Sequence, residues 1–162
     1  MSATIVIGNL FDSKAKYIAH QCNCITTTGG HLAKDMFRRY PYADIYRTRT
    51  RVNNWRSTRD KPGTIIVRGN GADERYVINM IAQIFPGKSK YPNSKEDGFE
   101  DRTQYFNKCL NKIAKIDNLD SIAFPWGIGC GAAGNDWAKY TQMIDNFANY
   151  VDAEVYVIQL PE

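Results

Sequence analysis

Between residues 121 and 137 the chain reads Ser-Ile-Ala-Phe-Pro-Trp-Gly-Ile-Gly-Cys-Gly-Ala-Ala-Gly-Asn-Asp-Trp: an apolar strand, four glycines in eight residues, then a helix start. Glycines let backbone N–H groups approach phosphate oxygens without side-chain obstruction, and a helix N-terminus adds partial positive charge. The segment therefore suits a phosphorylated, nucleotide-like ligand; the competing reading is a tight strand-to-helix turn with no ligand. A second transition of the same kind runs Tyr17-Ile-Ala-His-Gln-Cys-Asn-Cys-Ile-Thr-Thr-Thr-Gly-Gly-His-Leu-Ala-Lys, with Gly29 and Gly30 opening a helix. Two such loops in one small sheet grip a diphosphate from both sides.

Near these loops stand the side chains that can move protons. His20 falls at the carboxyl end of a buried strand, and imidazole titrates near neutrality, so it can protonate a leaving oxygen or orient a water; a satisfied structural histidine is the alternative. Asp136 precedes Trp137 at a helix start, where it either caps free N–H groups or serves as a general acid or base. Cys22, Cys24, Cys109 and Cys130 are few and unevenly spaced, and one residue separates the first two, unlike the usual zinc or redox spacing. Free thiols that pack rather than react are expected. With only His20 and His31 to complete a site, no metal and no other cofactor is expected.

These groups must be positioned by regular elements. Apolar runs suited to buried strands occur at 3–7, 17–22, 64–67, 76–81, 121–124 and 154–158. Helical spacing relates Leu32, Met36, Phe37 and Tyr40, then Phe106, Cys109, Leu110 and Ile113, then Trp137, Tyr140, Ile144, Phe147 and Val151. Alternating strands and helices predict an α/β fold, a mixed and largely parallel sheet with helices on both faces, and a ligand at the carboxyl ends of strands. The 162 residues suit one domain, 1–162. Residues 83–98, irregular and rich in proline, glycine and lysine, form a candidate lid. Trp126, Trp137, Tyr105 and Phe124 are expected in the core. The net charge of +4 includes a basic bunch, Arg47, Arg49, Arg51, Arg56, Arg59 and Lys61, with only Asp60 opposing it. A solvated face explains it better than nucleic acid binding, for aromatic interleaving is missing. No stretch approaches membrane-span length and no basic leader precedes the first strand, so a soluble, cytoplasmic, monomeric protein is expected.

The order Gly8-Asn9-Leu10-Phe11, Ala19-His20-Gln21-Cys22-Asn23-Cys24, Gly29-Gly30 with Leu32-Ala33, Tyr40-Pro41, Pro125 with Gly129-Cys130-Gly131, Trp137 and Val155-Tyr156-Val157 resembles the macrodomain family over nearly the whole chain. It is most similar to the branch of ADP-ribose 1″-phosphate phosphatases and terminal ADP-ribose protein glycohydrolases. The resemblance implies a three-layer α/β/α fold and a cleft for ADP-ribose or ADP-ribose 1″-phosphate, with an ADP-ribosylated protein as a further partner. It implies adenine contacts from Gly8, Asn9 and Leu10, where Asn9 replaces the family's aspartate. It implies a first phosphate loop at Thr28, Gly29, Gly30, His31 and Leu32, with His31 where many members carry a third glycine, and with Cys22 nearby. The second loop runs through Pro125, Gly127, Ile128, Gly129, Cys130, Gly131, Ala132, Ala133 and Gly134.

By the same resemblance His20 and Asn23 lie beside the distal ribose, a carboxamide both donating and accepting there. His20, Asn23 and Asp136 are then the candidate catalytic residues for hydrolysis of ADP-ribose 1″-phosphate to ADP-ribose and phosphate. A lysine–aspartate glycohydrolase mechanism is disfavoured: Ala133 stands where those enzymes carry aspartate, and 79–83 lacks their lysine, leaving only Lys88 or Lys90 to reach inward. Hydrolysis of ADP-ribose from modified proteins or nucleic acid ends, and a non-catalytic module binding ADP-ribose or a related signalling nucleotide, are the alternatives.

Overall fold

The apolar runs form strands, the central ones buried on both faces, and the computed structural model, which describes residues 2–49, 60–89 and 96–162, builds one six-stranded sheet from them. In chain order the elements are β1 Thr4–Ile7, β2 Tyr17–Cys22, α1 His31–Arg39, β3 Thr64–Arg68, β4 Tyr76–Ile81, α2 Phe99–Ile113, β5 Ser121–Pro125, α3 Trp137–Tyr150 and β6 Glu154–Gln159, with short 3-10 turns at Leu10–Asp12 and Pro41–Ala43. The strand order is β1-β6-β5-β2-β4-β3, and every pairing is parallel except β3 with β4. That exception follows from chain length: residues 69–75 are too few for the dozen or so a parallel crossover needs.

Side-chain parity sorts the core into two layers. Tyr17 and Ala19 of β2, Ile78 and Met80 of β4, and Ile122 and Phe124 of β5 face α2 and α3, which supply Phe106, Cys109, Leu110, Ile113, Tyr140, Ile144 and Phe147. Ile18, Cys22, Val77, Ile81 and Ala123 face the other way, against Met36 and Phe37 of α1 and the segment carrying Ala43, Ile45 and Tyr46. Two helices below the sheet and one above complete the three layers. Because β2, β4 and β5 are parallel, the segments that follow them leave from one end of the sheet, and the site is built there.

Two arginines are turned inward. Arg102 of α2 is 0% exposed and pairs bidentately with Asp97, Nε to Oδ1 at 3.1 Å and Nη2 to Oδ2 at 2.7 Å. Arg49, expected on a solvated face, has a side chain only 5% exposed and pairs with Asp60 at 2.7 Å. Of the remaining basic bunch, Arg51, Arg56 and Arg59 lie outside the described residues, as do Lys90, Pro92 and Lys95 of the candidate lid. Among the described residues no helix is long and apolar enough to cross a membrane.

Candidate functional site

A cleft of about 590 Å3 opens across the carboxyl ends of β2, β4 and β5. His20, Gln21 and Cys22 lie along it from β2, with Asn23, Thr26, Gly30, His31 and Leu32 from the loop into α1. Pro125, Trp126, Gly127, Ile128, Gly129, Gly131, Ala132 and Ala133 line it from the loop after β5, and Gln83, Pro86 and Gly87 from the segment after β4.

The second loop is an array of open donors. Within it the N–H of Ile128 bonds Pro125 O at 3.1 Å, Cys130 bonds Gly127 O at 2.8 Å, Gly134 bonds Gly131 O at 3.1 Å and Asn135 bonds Gly129 O at 3.4 Å. The N–H groups of Gly127, Gly129, Gly131, Ala132 and Ala133 have no partner among the described residues. Gly127, Gly129 and Gly134 have φ of 78°, 75° and 80°, the left-handed region in which glycine is the default. Gly129 is needed for space as well: a Cβ there would come within 2.6 Å of the Tyr140 ring and 2.7 Å of Gln21 Oε1. Tyr140 of α3 supports the loop from beneath, stacking on Phe106 at 4.4 Å and accepting a hydrogen bond from Asn135 Nδ2 at 2.6 Å.

Opposite it, the N-terminus of α1 enters through Gly30, with no side-chain cap, so its first N–H groups face the same cleft. His31 begins the helix at φ 51°, a left-handed conformation uncommon for a residue with a Cβ. It holds an exposed imidazole at the cleft mouth.

Asn23 is fixed by its surroundings. Its Oδ1 accepts from the N–H of Ile25 and Thr26 at 3.0 and 2.9 Å and from Thr26 Oγ1 at 3.1 Å, and its backbone N–H donates to Tyr46 Oη at 2.8 Å. Arg49 locks the same turn, donating to Asn23 O at 2.7 Å and Thr26 O at 3.0 Å while covering the Tyr46 ring at 4.3 Å. With Oδ1 engaged, the Nδ2 donors of Asn23 remain for a ligand.

His20 is 1% exposed, with Nε2 2.6 Å from Asn79 Oδ1 and its ring edge-on to Phe37 at 5.3 Å. Asn79 Nδ2 donates to Ala43 O and Ile66 O, so its Oδ1 accepts and His20 Nε2 carries the proton. Burial lowers the imidazole from 6.5 to about 4, the bond to Asn79 opposing it, and leaves His20 neutral at physiological pH. Burial also pushes the Cys22 thiol far up, and those of Cys24 and Cys130 up to about 12, so these sulfurs stay protonated and suit packing.

Several expected residues lie elsewhere. Asp136 is exposed and accepts from Ala138 N–H at 3.0 Å as the cap of α3; it does not line the cleft. Gly8, Asn9 and Leu10 are also off the lining: Asn9 Oδ1 caps its own 3-10 turn through Phe11 N–H at 3.0 Å, and Leu10 is buried. Thr28, Gly29, Cys130 and Gly134 do not line the cleft: Thr28 is exposed, and Gly29 is pressed against α1, 3.0 Å from the backbone of Ala33 and Lys34 to a Cβ position. Trp126, expected in the core, is 40% exposed on the cleft, tilted against Trp137 at 5.2 Å. Its place directly after β5, where ligands meet such sheets, was the available signal.

Gln83 and Arg102 were also missed. Gln83 accepts from Gln21 Nε2 at 2.6 Å and donates to Phe85 O at 2.8 Å, while Gln21 Oε1 remains a buried acceptor without a partner. Arg102 donates to Gly87 O at 2.7 Å, Phe85 O at 3.1 Å and Ala133 O at 3.4 Å, joining two walls of the cleft. Gln83 opens the 83–98 segment read as a candidate lid, whereas Arg102 carries no signal in the sequence that separates it from an ordinary helix residue.

A parallel-rich sheet between helix layers, with a glycine-lined cleft over its strand ends, defines an open-sheet class of α/β domain. More narrowly, the chain has the macrodomain fold. The macrodomain of Mycobacterium tuberculosis DarG superposes with a TM-score of 0.70 at 19% identity, covering 99% of each chain. A protein of unknown function from Bacteroides thetaiotaomicron gives 0.74 at 23% identity over 98% of each. Thermosipho africanus DarTG, solved in complex with ADP-ribose, gives 0.71 at 16% identity over 99% of this chain and 42% of that one. No protein-family model matches the sequence, and no curated protein matches it by sequence.

Proposed function

We propose that the cleft binds ADP-ribose through its diphosphate and that the protein hydrolyses ADP-ribose 1″-phosphate to ADP-ribose and phosphate. The observation that carries the binding reading is the set of five N–H groups, at Gly127, Gly129, Gly131, Ala132 and Ala133, without a partner among the described residues, in residues that line one cleft with Gly30, His31 and Leu32 at the start of α1. Donors so arranged solvate an anion without side-chain charge. The macrodomain fold, shared with a protein solved with ADP-ribose, supports the same ligand.

In the hydrolysis, water attacks phosphorus and the bond from phosphorus to the C1″ oxygen breaks. His20, neutral and with Nε2 donating to Asn79, orients the attacking water through Nδ1; the water's proton passes to solvent and the departing oxygen gains one from solvent. Asn23 Nδ2 donates to a distal-ribose hydroxyl, and remote binding of the diphosphate orients the reacting end. His20→Ala is expected to abolish phosphate release from ADP-ribose 1″-phosphate while calorimetry shows ADP-ribose affinity within about threefold of wild type. Undiminished turnover in that variant would remove His20 from the chemistry; no heat of binding in the wild type would remove the ligand.

One observation favours a binding module without turnover: His20 is buried and bonded to Asn79, while Asp136 is spent on the α3 cap. Tight ADP-ribose binding with no product from the 1″-phosphate or from an ADP-ribosylated protein would decide for that reading. The small Ala133 supports neither glycohydrolase chemistry nor an obstructed cleft.

A further inference from the structure

β1 is the outer strand of the sheet, and all four of its residues are exposed. Ile5, Val6 and Ile7 are 55%, 38% and 62% exposed, with Leu160 beyond β6 at 66%. Edge strands are ordinarily blunted by charge, proline, a bulge or a cover, because their unpaired N–H and C=O groups template pairing with another chain. This strand carries none of the first two: residues 2–9 read Ser-Ala-Thr-Ile-Val-Ile-Gly-Asn, without a charge or a proline. Its register with β6 is regular, Thr4 to Tyr156 through Ile7 to Gln159, with no bulge.

The hydrogen-bonding groups that point outward can be identified. Gly8 N–H donates inward to Gln159 O at 2.8 Å, so in this parallel pair Thr4, Val6 and Gly8 turn their backbone groups to β6. Ile5 and Ile7 turn theirs outward. The edge is closed at its start, where Ala3 N–H is held by Asp145 Oδ1 of α3 at 3.0 Å. Among the described residues, what is left open is one short, uncharged, apolar segment with the donors and acceptors of two isoleucines.

We propose that this edge pairs with β1 of a second copy, antiparallel, about a two-fold axis through Val6. That register sets Ile5 opposite Ile7 of the partner and Ile7 opposite Ile5, so both outward residues of each strand exchange their backbone bonds, and Val6 faces Val6 as a non-hydrogen-bonded pair. Four isoleucines meet on one face as β-branched cross-strand pairs, and no like charges are brought together. An uncharged strand is complementary to itself in this way, which a strand of alternating charge in an arbitrary register is not. The expectation of a monomer gives way here to a dimer with a continuous twelve-stranded sheet, in which the two clefts remain open.

Sedimentation of the full chain over about 1 to 200 μM, the range of a modest interface, should show a dimer that grows with concentration. Ile5→Lys with Ile7→Lys should sediment as a monomer throughout, with an unchanged circular dichroism spectrum. Should that variant misfold, Val6→Cys provides the independent measure: a non-hydrogen-bonded pair places the two sulfurs within reach, so oxidation should give a covalent dimer, while Ile5→Cys should give little. A wild type that is monomeric over the whole range, a dimer indifferent to the lysines, open-ended higher assemblies, or no cross-link at Val6 would each overturn the proposal.

Discussion

His31 holds a Cβ where the chain turns left-handed, at φ 51°. Replacing it with glycine relieves that conformation, so His31→Gly should raise stability by about 1 kcal/mol, seen as a higher urea midpoint at constant slope. The same variant tests the imidazole's contact with ligand, since a weaker ADP-ribose affinity in a more stable protein cannot be a folding defect. His20 sets a pH dependence. Its protonation falls from 6.5 to about 4 on burial, so the unfolded chain binds the extra proton first. Stability from this group is therefore whole above about pH 6.5 and is lost as pH falls toward 4, by up to about 3 kcal/mol. His20→Gln should flatten that part of the acid-unfolding curve; an unchanged curve would mean that the imidazole is not buried neutral. Trp126 presents an open indole beside the glycine loop, and Trp126→Ala should weaken ADP-ribose more than it weakens pyrophosphate, measured by calorimetry, if the ring contacts the adenosine or ribose part. Its position after β5 was legible, yet its exposure was not, because a tryptophan between a strand and a glycine reads equally as core.

Strands and helices were written plainly in the chain. The runs at 17–22 and 76–81 coincide with β2 and β4, buried on both faces and hence apolar but for His20, Gln21 and Asn79, and the helical stripes of all three helices face the sheet. The glycine loops announced themselves by composition. What pattern alone does not carry is the inward arginine: Arg102 and Arg49 have the residue type of a solvated face, and only the tertiary positions of Asp97, Asp60 and several carbonyls bury them. For the same reason Asn9 gave no sign that its carbonyl would close its own turn. The segment after β4 and the loop after β5 share Arg102 as support, so Arg102→Met leaves Asp97 buried without its cationic partner and should cost about 3–5 kcal/mol, measured by thermal or urea unfolding. The exposed Lys139–Glu100 pair, at 3.2 Å with side chains 49% and 70% exposed, serves as the contrast: Lys139→Ala should leave the midpoint unchanged within error.

At the scale of the molecule, charge and site are kept apart among the described residues. The chain carries a net +4, but among the described residues the lining of the cleft contains no lysine, arginine, aspartate or glutamate. An anion held there is held by peptide dipoles and helix ends, which exchange no counterions. ADP-ribose affinity should therefore change little, less than about threefold, between 50 and 500 mM salt, whereas a steep loss would implicate a cation such as Lys88 reaching in. The guanidinium of Arg102 has a further consequence for motion. It holds Phe85 O, Gly87 O and Ala133 O at once, and these belong to opposite walls. Neither wall can detach without releasing the contacts of the other, so their slowly exchanging amides should share one opening free energy in deuterium exchange, and a ligand seated on the loop after β5 should slow exchange in the segment after β4 that it does not touch.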